Sequence, residues 1–144
     1  MKEYYNALQD VNKIKQAKPD TAVVHFAEGL VATKMRDYDN ALRAFDRAIH
    51  LDSSNVEFLV NRGTVNYYRR QFDEAEADLR KAEYLNAAEP NIYNTRAMIA
   101  IAHNDPQTAM TEIEKALTIS PKQPYFINNR GFILLMQNKL PDGL

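Results

Sequence analysis

The sequence contains no cysteine and only 4 glycines among its 144 residues. Without cysteine the chain can form neither disulfides nor catalytic thiolates, and so little glycine argues against a loop that cradles phosphate groups. The 18 lysines and arginines nearly balance the 19 aspartates and glutamates. The resulting net charge of −1 provides no bulk attraction to nucleic acid or to anionic lipid, so we expect no nucleic-acid partner.

Hydrophobic stretches are short throughout the sequence. Hydrophobic residues make up 45% of the chain. None of their runs approaches the ~20 residues that a membrane-spanning helix needs. Residues 1–5 lack the apolar core of a signal peptide. We therefore expect no membrane insertion and take a cytoplasmic location as the default, because nothing in the sequence identifies a compartment.

A period of thirty-four residues dominates the sequence. Small residues recur at one position of this period, arginines at the position before it, and an alanine–large–alanine series further along. The recurring residues are Gly29, Gly63, Ala97 and Gly131; Arg62, Arg96 and Arg130; Ala41, Ala75 and Ala109; Phe45, Leu79 and Ile113; and Ala48, Ala82 and Ala116. Such a period indicates an array of repeats in which each unit buries its apolar face against the next.

Each period contains two stretches in which apolar residues recur every three or four positions, which predicts a pair of helices. Capping residues and prolines mark their boundaries. The predicted helices cover residues 3–17, 22–34, 38–51, 56–69, 72–85, 91–103, 106–119 and 125–138. No segment reads as a β-strand, so the predicted fold class is all-α.

The recurring small residue lies midway along the first helix of each pair. Glycine there costs up to about 1 kcal/mol relative to alanine, so a packing reason is expected. We predict that the second helix crosses the first at this point, with Ala41 close to Gly29. The large residue that follows, Phe45 in this pair, is expected to fill the space towards the next unit.

Spacing and residue types together resemble the tetratricopeptide repeat family over nearly the whole chain. Tyr38 and Phe72 match its aromatic residue near the start of the second helix, and Pro121 matches its closing proline. The resemblance implies a right-handed α-solenoid of antiparallel helix pairs, with 1–144 as a single superhelical array. Its full units would be 22–55, 56–89 and 90–123, flanked by 2–21, the second helix of a partial unit, and 124–144, the first helix of another.

Three repeat positions depart from the family's usual residues. His25 and Leu59 replace tryptophan, and we expect His25 to be a buried core histidine. The recurring arginines replace leucine; we interpret them as guanidiniums bonded to nearby carbonyls or carboxylates, the alternative being an exposed basic stripe. Where glycine usually turns the chain, asparagine tolerates the left-handed conformation better than arginine. The residues at that position are Arg36, Arg70, Asn104 and Asn138.

In a stacked array of helix pairs, the first helices line a concave groove, and this groove is the predicted binding site. It would hold a peptide segment of a protein partner whose identity the sequence does not reveal. The candidate residues are Glu57, Asn61, Thr64, Tyr67, Asn91, Asn94, Met98, Tyr125, Asn128 and Asn129. Asparagine amides both donate and accept, so a ladder of them could bind a peptide backbone; the alternative is an ordinary solvated helix face.

Two other kinds of site are not expected. The lysines and arginine with which some family members clamp the C-terminal carboxylate of heat-shock chaperones have no counterpart at the matching positions. Three histidines, His25, His50 and His103, fall in different repeat positions, and no catalytic or metal-binding motif is present. We therefore predict no enzymatic activity, no cofactor and no metal site.

The sequence is thus interpreted as a protein–protein interaction scaffold. One alternative is a structural solenoid segment that stacks, or forms a homo-oligomer, through its open ends. Another is a recognition arm of a larger protein.

Overall fold

The computed structural model describes Glu3, Asn6, Ala7, Gln9 and all of residues 21–139. Within residues 21–139 it contains seven α-helices and no β-strand, which confirms the all-α fold class. The helices are α1 (Ala22–Lys34), α2 (Tyr38–Leu51), α3 (Val56–Tyr68), α4 (Phe72–Leu85), α5 (Pro90–Ala102), α6 (Pro106–Ile119) and α7 (Pro124–Lys139).

The helix boundaries agree with the sequence prediction to within one residue. The small differences include α5 and α7, which begin at Pro90 and Pro124, one residue earlier than predicted. Proline suits the first turn of a helix because its fixed φ is helical and its missing N–H would be unbonded there. The predicted helix at 3–17 lies outside the described residues except for Glu3, Asn6, Ala7 and Gln9, which are helical.

The chain divides into two compact units, Met1–Asp78 and Leu79–Leu144, with the boundary inside α4. In the first unit α1 packs against α2, and α2 packs against α3. In the second unit α5 packs against α6, and α6 packs against α7. That residues 1–144 form a single array, with the partial and full units given above, stays a prediction.

Short polar side chains begin the helices by accepting hydrogen bonds from the first exposed backbone N–H groups. Thr21 Oγ1 accepts from the Val24 N–H at 3.3 Å. Asp105 Oδ1 accepts from the Thr108 N–H at 3.2 Å. Hydrogen bonds from the side chain and backbone of Thr108 lower the pKa of the Asp105 carboxyl. These contacts explain why the capping residues predicted the helix starts.

The turn inside each hairpin uses a left-handed residue that is not glycine. Arg36 and Arg70 have φ of 60°, and Asn104 has φ of 57°. All three occupy the position where the family usually has glycine, so the turn conformation is kept without the usual residue. Asn138, at the same repeat position, lies instead within α7, which continues to Lys139.

The packing at the small-residue position differs in part from the prediction. A Cβ added to Gly29 would lie 2.8 Å from Cζ of Phe45 and closer to two other ring atoms. Phe45 therefore fills the space over Gly29 within its own hairpin, and it also forms a core cluster with Ala41 and Val65 of α3. A Cβ added to Gly131 meets no heavy atom within 4 Å, so the predicted close crossing is not present at α7.

Candidate peptide-binding surface

The second unit brings together four of the predicted groove residues. Asn94 and Met98 lie one turn apart on α5, and Tyr125 and Asn129 lie one turn apart on α7. The side chain of Asn129 donates from Nδ2 to Oδ1 of Asn94 at 2.7 Å. The Tyr125 hydroxyl lies 3.9 Å from Sδ of Met98. We refer to these four residues as the α5–α7 surface.

Asn94 is the structural member of this surface, because its side chain is almost enclosed. The residue is 4% exposed, and its Nδ2 lies 3.6 Å from Sδ of Met98. A buried amide is costly unless it is hydrogen-bonded, and Asn129 supplies such a bond. Asn94 thus orients Asn129, which is itself only partly buried.

The asparagines do not form the simple ladder that their spacing indicated. Asn94 is bonded to Asn129, one period plus one residue later, while Asn128 is exposed. Asn91 donates its backbone N–H and its Nδ2 to Oε1 of Glu89, at 3.0 and 2.9 Å, and so belongs to the N-terminal cap of α5. A signal for the actual pair was present in the sequence, because Asn94 and Asn129 occupy neighbouring repeat positions of the predicted groove in successive repeats.

Exposed apolar side chains continue the surface along α7. Tyr125, Phe132 and Leu135 follow one another at steps of seven and three, so they share one side of the helix. At least half of each side chain is exposed to solvent. None of these side chains carries a charge, and neither do those of the α5–α7 surface. The chemistry of this region is therefore aromatic, aliphatic and amide.

The remaining candidates lie on α3 in the first unit. Asn61 donates from Nδ2 to the backbone oxygen of Glu57 at 2.8 Å, and Thr64 donates to the backbone oxygen of Val60 at 2.9 Å. The ring of Tyr67 lies 6.3 Å from that of Phe72, measured between centroids. Glu57 is exposed, and the other three are partly buried. The side chains of Asn61 and Thr64 thus bond back to their own helix.

The recurring arginines are bonded to carboxylates, as the sequence interpretation stated. Arg62 contacts Asp78 and Asp46 at 2.7 and 3.0 Å, and Arg96 lies 2.9 Å from Glu83. The hydrogen bond with Asp78 raises the pKa of Arg62. His25 is also buried as expected, with Nδ1 3.2 Å from Oε1 of Glu28.

A polar cluster around Tyr93 escaped the sequence prediction. The Tyr93 hydroxyl donates to the backbone oxygen of Ala87 at 2.6 Å and lies 3.4 Å from Oε2 of Glu83. Nζ of Lys115 lies 5.7 Å from the centre of the ring. Burial, together with the negative charge of Glu83, raises the pKa of the Tyr93 phenol. The sequence gives no signal for this cluster beyond a large aromatic residue at the position of Leu59 and His25.

Within residues 21–139, no helix is both long and apolar enough to cross a bilayer. The same part of the chain has no group of three histidine, aspartate or glutamate side chains placed to hold a metal ion.

Comparison with solved structures shows the same fold in several proteins of low sequence identity. Pseudomonas aeruginosa pilF has a TM-score of 0.78 at 21% identity, over 95% of this chain and 63% of that one. The first TPR domain of human RPAP3 has a TM-score of 0.76 at 22% identity, over 88% and 99%. The first TPR of Spaghetti (RPAP3), bound to the HSP90 peptide SRMEEVD, has 0.72 at 23%, over 83% and 94%.

Comparison with curated proteins gives no significant match. The sequence model of the tetratricopeptide repeat, however, matches residues 26–90 and again 62–124. The two matches together span well over half of the chain and follow its thirty-four-residue period. The chain therefore belongs to the tetratricopeptide repeat family.

Proposed function

We propose that the chain is a protein-interaction scaffold, and that its α5–α7 surface holds an uncharged, extended peptide segment of a partner protein. One observation carries the proposal: the 2.7 Å hydrogen bond between Asn129 and Asn94 fixes an amide beside exposed apolar side chains. A binding group that is already oriented loses less conformational entropy when the partner arrives.

The amide of Asn129 suits the backbone of an extended peptide. Asn94 receives one N–H of this amide, so the Asn129 carbonyl oxygen can accept from a peptide N–H while its second N–H donates to a peptide carbonyl. Tyr125 and Phe132 provide apolar area for the peptide side chains, and rigid aromatic rings do so at low entropic cost. Backbone bonding gives affinity, and the rings select apolar side chains.

The side chains of the α5–α7 surface carry no charge, and this argues for an uncharged partner segment. Spaghetti (RPAP3) binds the HSP90 peptide SRMEEVD, which is rich in carboxylates. A carboxylate removed from water needs a compensating cation. None of Asn94, Met98, Tyr125 and Asn129 supplies one. We therefore propose an apolar or amide-rich segment and not an acidic tail.

A selection experiment tests the proposal. A phage-displayed library of unstructured peptides is selected on the full chain, and the affinities of the enriched peptides are measured by fluorescence anisotropy. We expect enrichment of uncharged sequences with apolar side chains. Tyr125→Ala should weaken their binding by at least about tenfold, as expected for an aromatic anchor.

The matched control is Tyr84→Ala, which removes an equal side chain from α4, where Tyr84 is 90% exposed. This variant should bind the selected peptides as tightly as the unmodified chain. Enrichment of acidic peptides, or equal loss of affinity in the two variants, would contradict the proposal.

A further inference from the structure

The first unit contains a cavity that the α5–α7 surface does not include. Its volume is about 570 Å³ and it is open to solvent. Volumes of ~300–1,000 Å³ are usual for ligand sites. Its walls come from α2 and α4, with α3 between them, and all of its lining residues lie between Leu42 and Asp78. The cavity therefore belongs to the first unit alone, and we call it the α2–α4 cavity.

Asn66, on α3, lines this cavity with an amide group that is only half bonded. The residue is 5% exposed. Its Oδ1 accepts from Nη1 of Arg69 at 3.4 Å, but its Nδ2 has no acceptor among the described residues. Nδ2 is not sealed inside the protein, so it can be reached from the cavity. Because a nearly buried amide nitrogen is costly unless it donates, it is suited to an oxygen acceptor that enters the cavity.

The sequence sets Asn66 apart from its equivalents in the other first helices. The same repeat position holds Ala32 in α1, Ala100 in α5 and Leu134 in α7. An apolar residue is thus sufficient for the packing of a first helix at this position. The polar side chain of Asn66 needs another explanation, and a bound ligand provides one.

Carboxylates outnumber guanidiniums around the cavity. Its charged lining residues are Asp46, Arg62, Arg69, Glu74 and Asp78. Arg62 contacts Asp46 at 3.0 Å and Asp78 at 2.7 Å, so one guanidinium compensates two carboxylates. Asp46 uses only Oδ1 in this contact, which leaves its Oδ2 able to accept a further hydrogen bond.

The second guanidinium does not balance the remaining charge. Nε of Arg69 lies 3.3 Å from Oδ1 of Asp39, and Nη1 of Arg69 donates to Asn66. Glu74, on α4, is exposed and forms no ion pair or side-chain hydrogen bond with another described residue. An anion in the cavity would be repelled by the carboxylates, whereas a cation would be attracted to them.

We propose that the α2–α4 cavity binds a lysine residue of a partner peptide, with its ammonium between Asp46 and Glu74 and a backbone carbonyl oxygen accepting from Nδ2 of Asn66. The ammonium is a compact charge with three donors, so it can serve carboxylates on two walls at once. A planar guanidinium is better matched to a single carboxylate. An acidic or phosphorylated segment is the poorer occupant, because Arg62 and Arg69 are already bonded.

An NMR titration that correlates ¹H and ¹⁵N shifts tests the proposal directly, because it detects the side-chain amide of Asn66. The ¹⁵N-labelled full chain is titrated with the peptide acetyl-Gly-Ser-Lys-Ser-Gly-amide. Matched peptides replace the lysine by norleucine, glutamate or arginine. We expect the lysine peptide to shift the Asn66 amide signal saturably, with a dissociation constant of about 1 mM or below. The norleucine and glutamate peptides should bind at least about tenfold more weakly, and the arginine peptide about threefold more weakly.

Variants of the chain locate the bound peptide. Asn66→Ala introduces the residue that α1 and α5 carry at this position, so the chain should fold, and we expect the lysine peptide to bind about tenfold more weakly. Glu74→Gln removes one charge and should weaken binding about fivefold. Asp73→Asn is the matched control, because this exposed neighbour does not line the cavity, and its effect should stay below about twofold. Tyr125→Ala should leave the affinity unchanged.

Four results would overturn the proposal. The first is no saturable shift of the Asn66 amide, which would mean that the cavity holds solvent only. The second is a norleucine, glutamate or arginine peptide that binds as tightly as the lysine peptide. The third is an equal effect of Glu74→Gln and Asp73→Asn. The fourth is a loss in Tyr125→Ala as large as that in Asn66→Ala, which would place the peptide on the α5–α7 surface.

This proposal and the peptide-binding proposal can fail separately. The cavity is lined by residues of the first unit, and the α5–α7 surface is formed by residues of the second. A chain that ignores the lysine peptide can still select uncharged peptides that depend on Tyr125.

Discussion

Arg62 of α3 holds both carboxylate oxygens of Asp78, which lies in the middle of α4. Nε donates to Oδ2 at 2.8 Å and Nη2 donates to Oδ1 at 2.7 Å, while Nη1 donates to Asp46 at 3.0 Å. Asp78 is buried, so its charge depends on this guanidinium for compensation. A partly buried arginine, where the family usually has leucine, therefore compensates the charge of a buried carboxylate.

Removing this arginine should destabilise the chain strongly. Arg62→Ala leaves a buried carboxylate without its partner, and we expect the free energy of unfolding to fall by about 3 kcal/mol. Arg130→Ala at the same repeat position is the control. Its pair with Glu114 spans 3.9 Å between exposed side chains, so the loss should stay below about 1 kcal/mol. Urea denaturation measures both, and equal losses would show that the Asp78 pair contributes no more than a surface contact.

Alanine should have opposite effects at two glycines of the same repeat position. Gly29→Ala places a methyl group against the ring of Phe45, so overpacking should cost about 1–3 kcal/mol. Gly131→Ala meets open space, so the helix propensity of alanine should stabilise α7 by up to about 1 kcal/mol. Thermal melting distinguishes the two. A decrease in Tm for both variants would mean that Gly131 has a packing role in the folded chain.

Glycine at a hairpin turn should stabilise the chain. Arg36 has φ of 60°, a conformation that costs about 1 kcal/mol for a residue with a Cβ. Arg36→Gly removes this cost, and after allowing for the greater flexibility of the unfolded chain we expect a gain of about 0.5 kcal/mol. Asn104→Gly should gain less, because asparagine already tolerates this region. Chemical denaturation checks the order, and an equal or larger gain at Asn104 would contradict it.

Tyr93 should make the stability sensitive to alkaline pH. Burial and the charge of Glu83 raise its pKa in the folded chain above the ordinary value of 10.0, so folding favours the protonated phenol. The contribution of Tyr93 to the free energy of unfolding is therefore complete below pH 10.0, and it is lost as pH rises through the pKa of the folded chain. Tyr93→Phe should lower stability at neutral pH by about 1 kcal/mol, through loss of the bond to Ala87, and should reduce the alkaline loss.

Denaturation curves at several pH values between neutrality and the alkaline limit would measure this effect. Tyr84→Phe, which removes a hydroxyl from an exposed ring, is the control and should follow the unmodified chain. If Tyr93→Phe lost stability with rising pH as steeply as the unmodified chain, another group would be responsible.

The fold could be predicted well because its determinants are local and repeated. Capping side chains such as Thr21 and Asp105 mark helix starts through hydrogen bonds to residues only three positions later in the sequence. The period of thirty-four residues then shows which positions are equivalent, and the alanine–large–alanine positions are buried in α2, α4 and α6 alike. Positions on α7 differ: Gly131 matches Gly29 in sequence but not in surroundings, since a period identifies a position and not its neighbour.

The site could be predicted less well because it depends on side-chain contacts between repeats. Spacing placed Asn94, Met98, Tyr125 and Asn129 in one groove lined by the first helices, and the structure brings these four side chains together. Spacing could not show that Asn94 is buried, because that depends on which neighbouring side chains surround it. Tyr93 and its ring contacts were missed for the same reason.

If the α5–α7 surface binds a peptide as proposed, the bond between Asn94 and Asn129 serves both the packing of the chain and the binding of its partner. Mutations at Asn94 would loosen the junction between α5 and α7 as well as reshape what the surface accepts, so selection would resist change there. Tyr125 and Asn128 are exposed, so replacing them should disturb the packing of the chain less. Descendants of this protein would therefore be expected to acquire new partners by varying those two residues while keeping the amide pair beneath them.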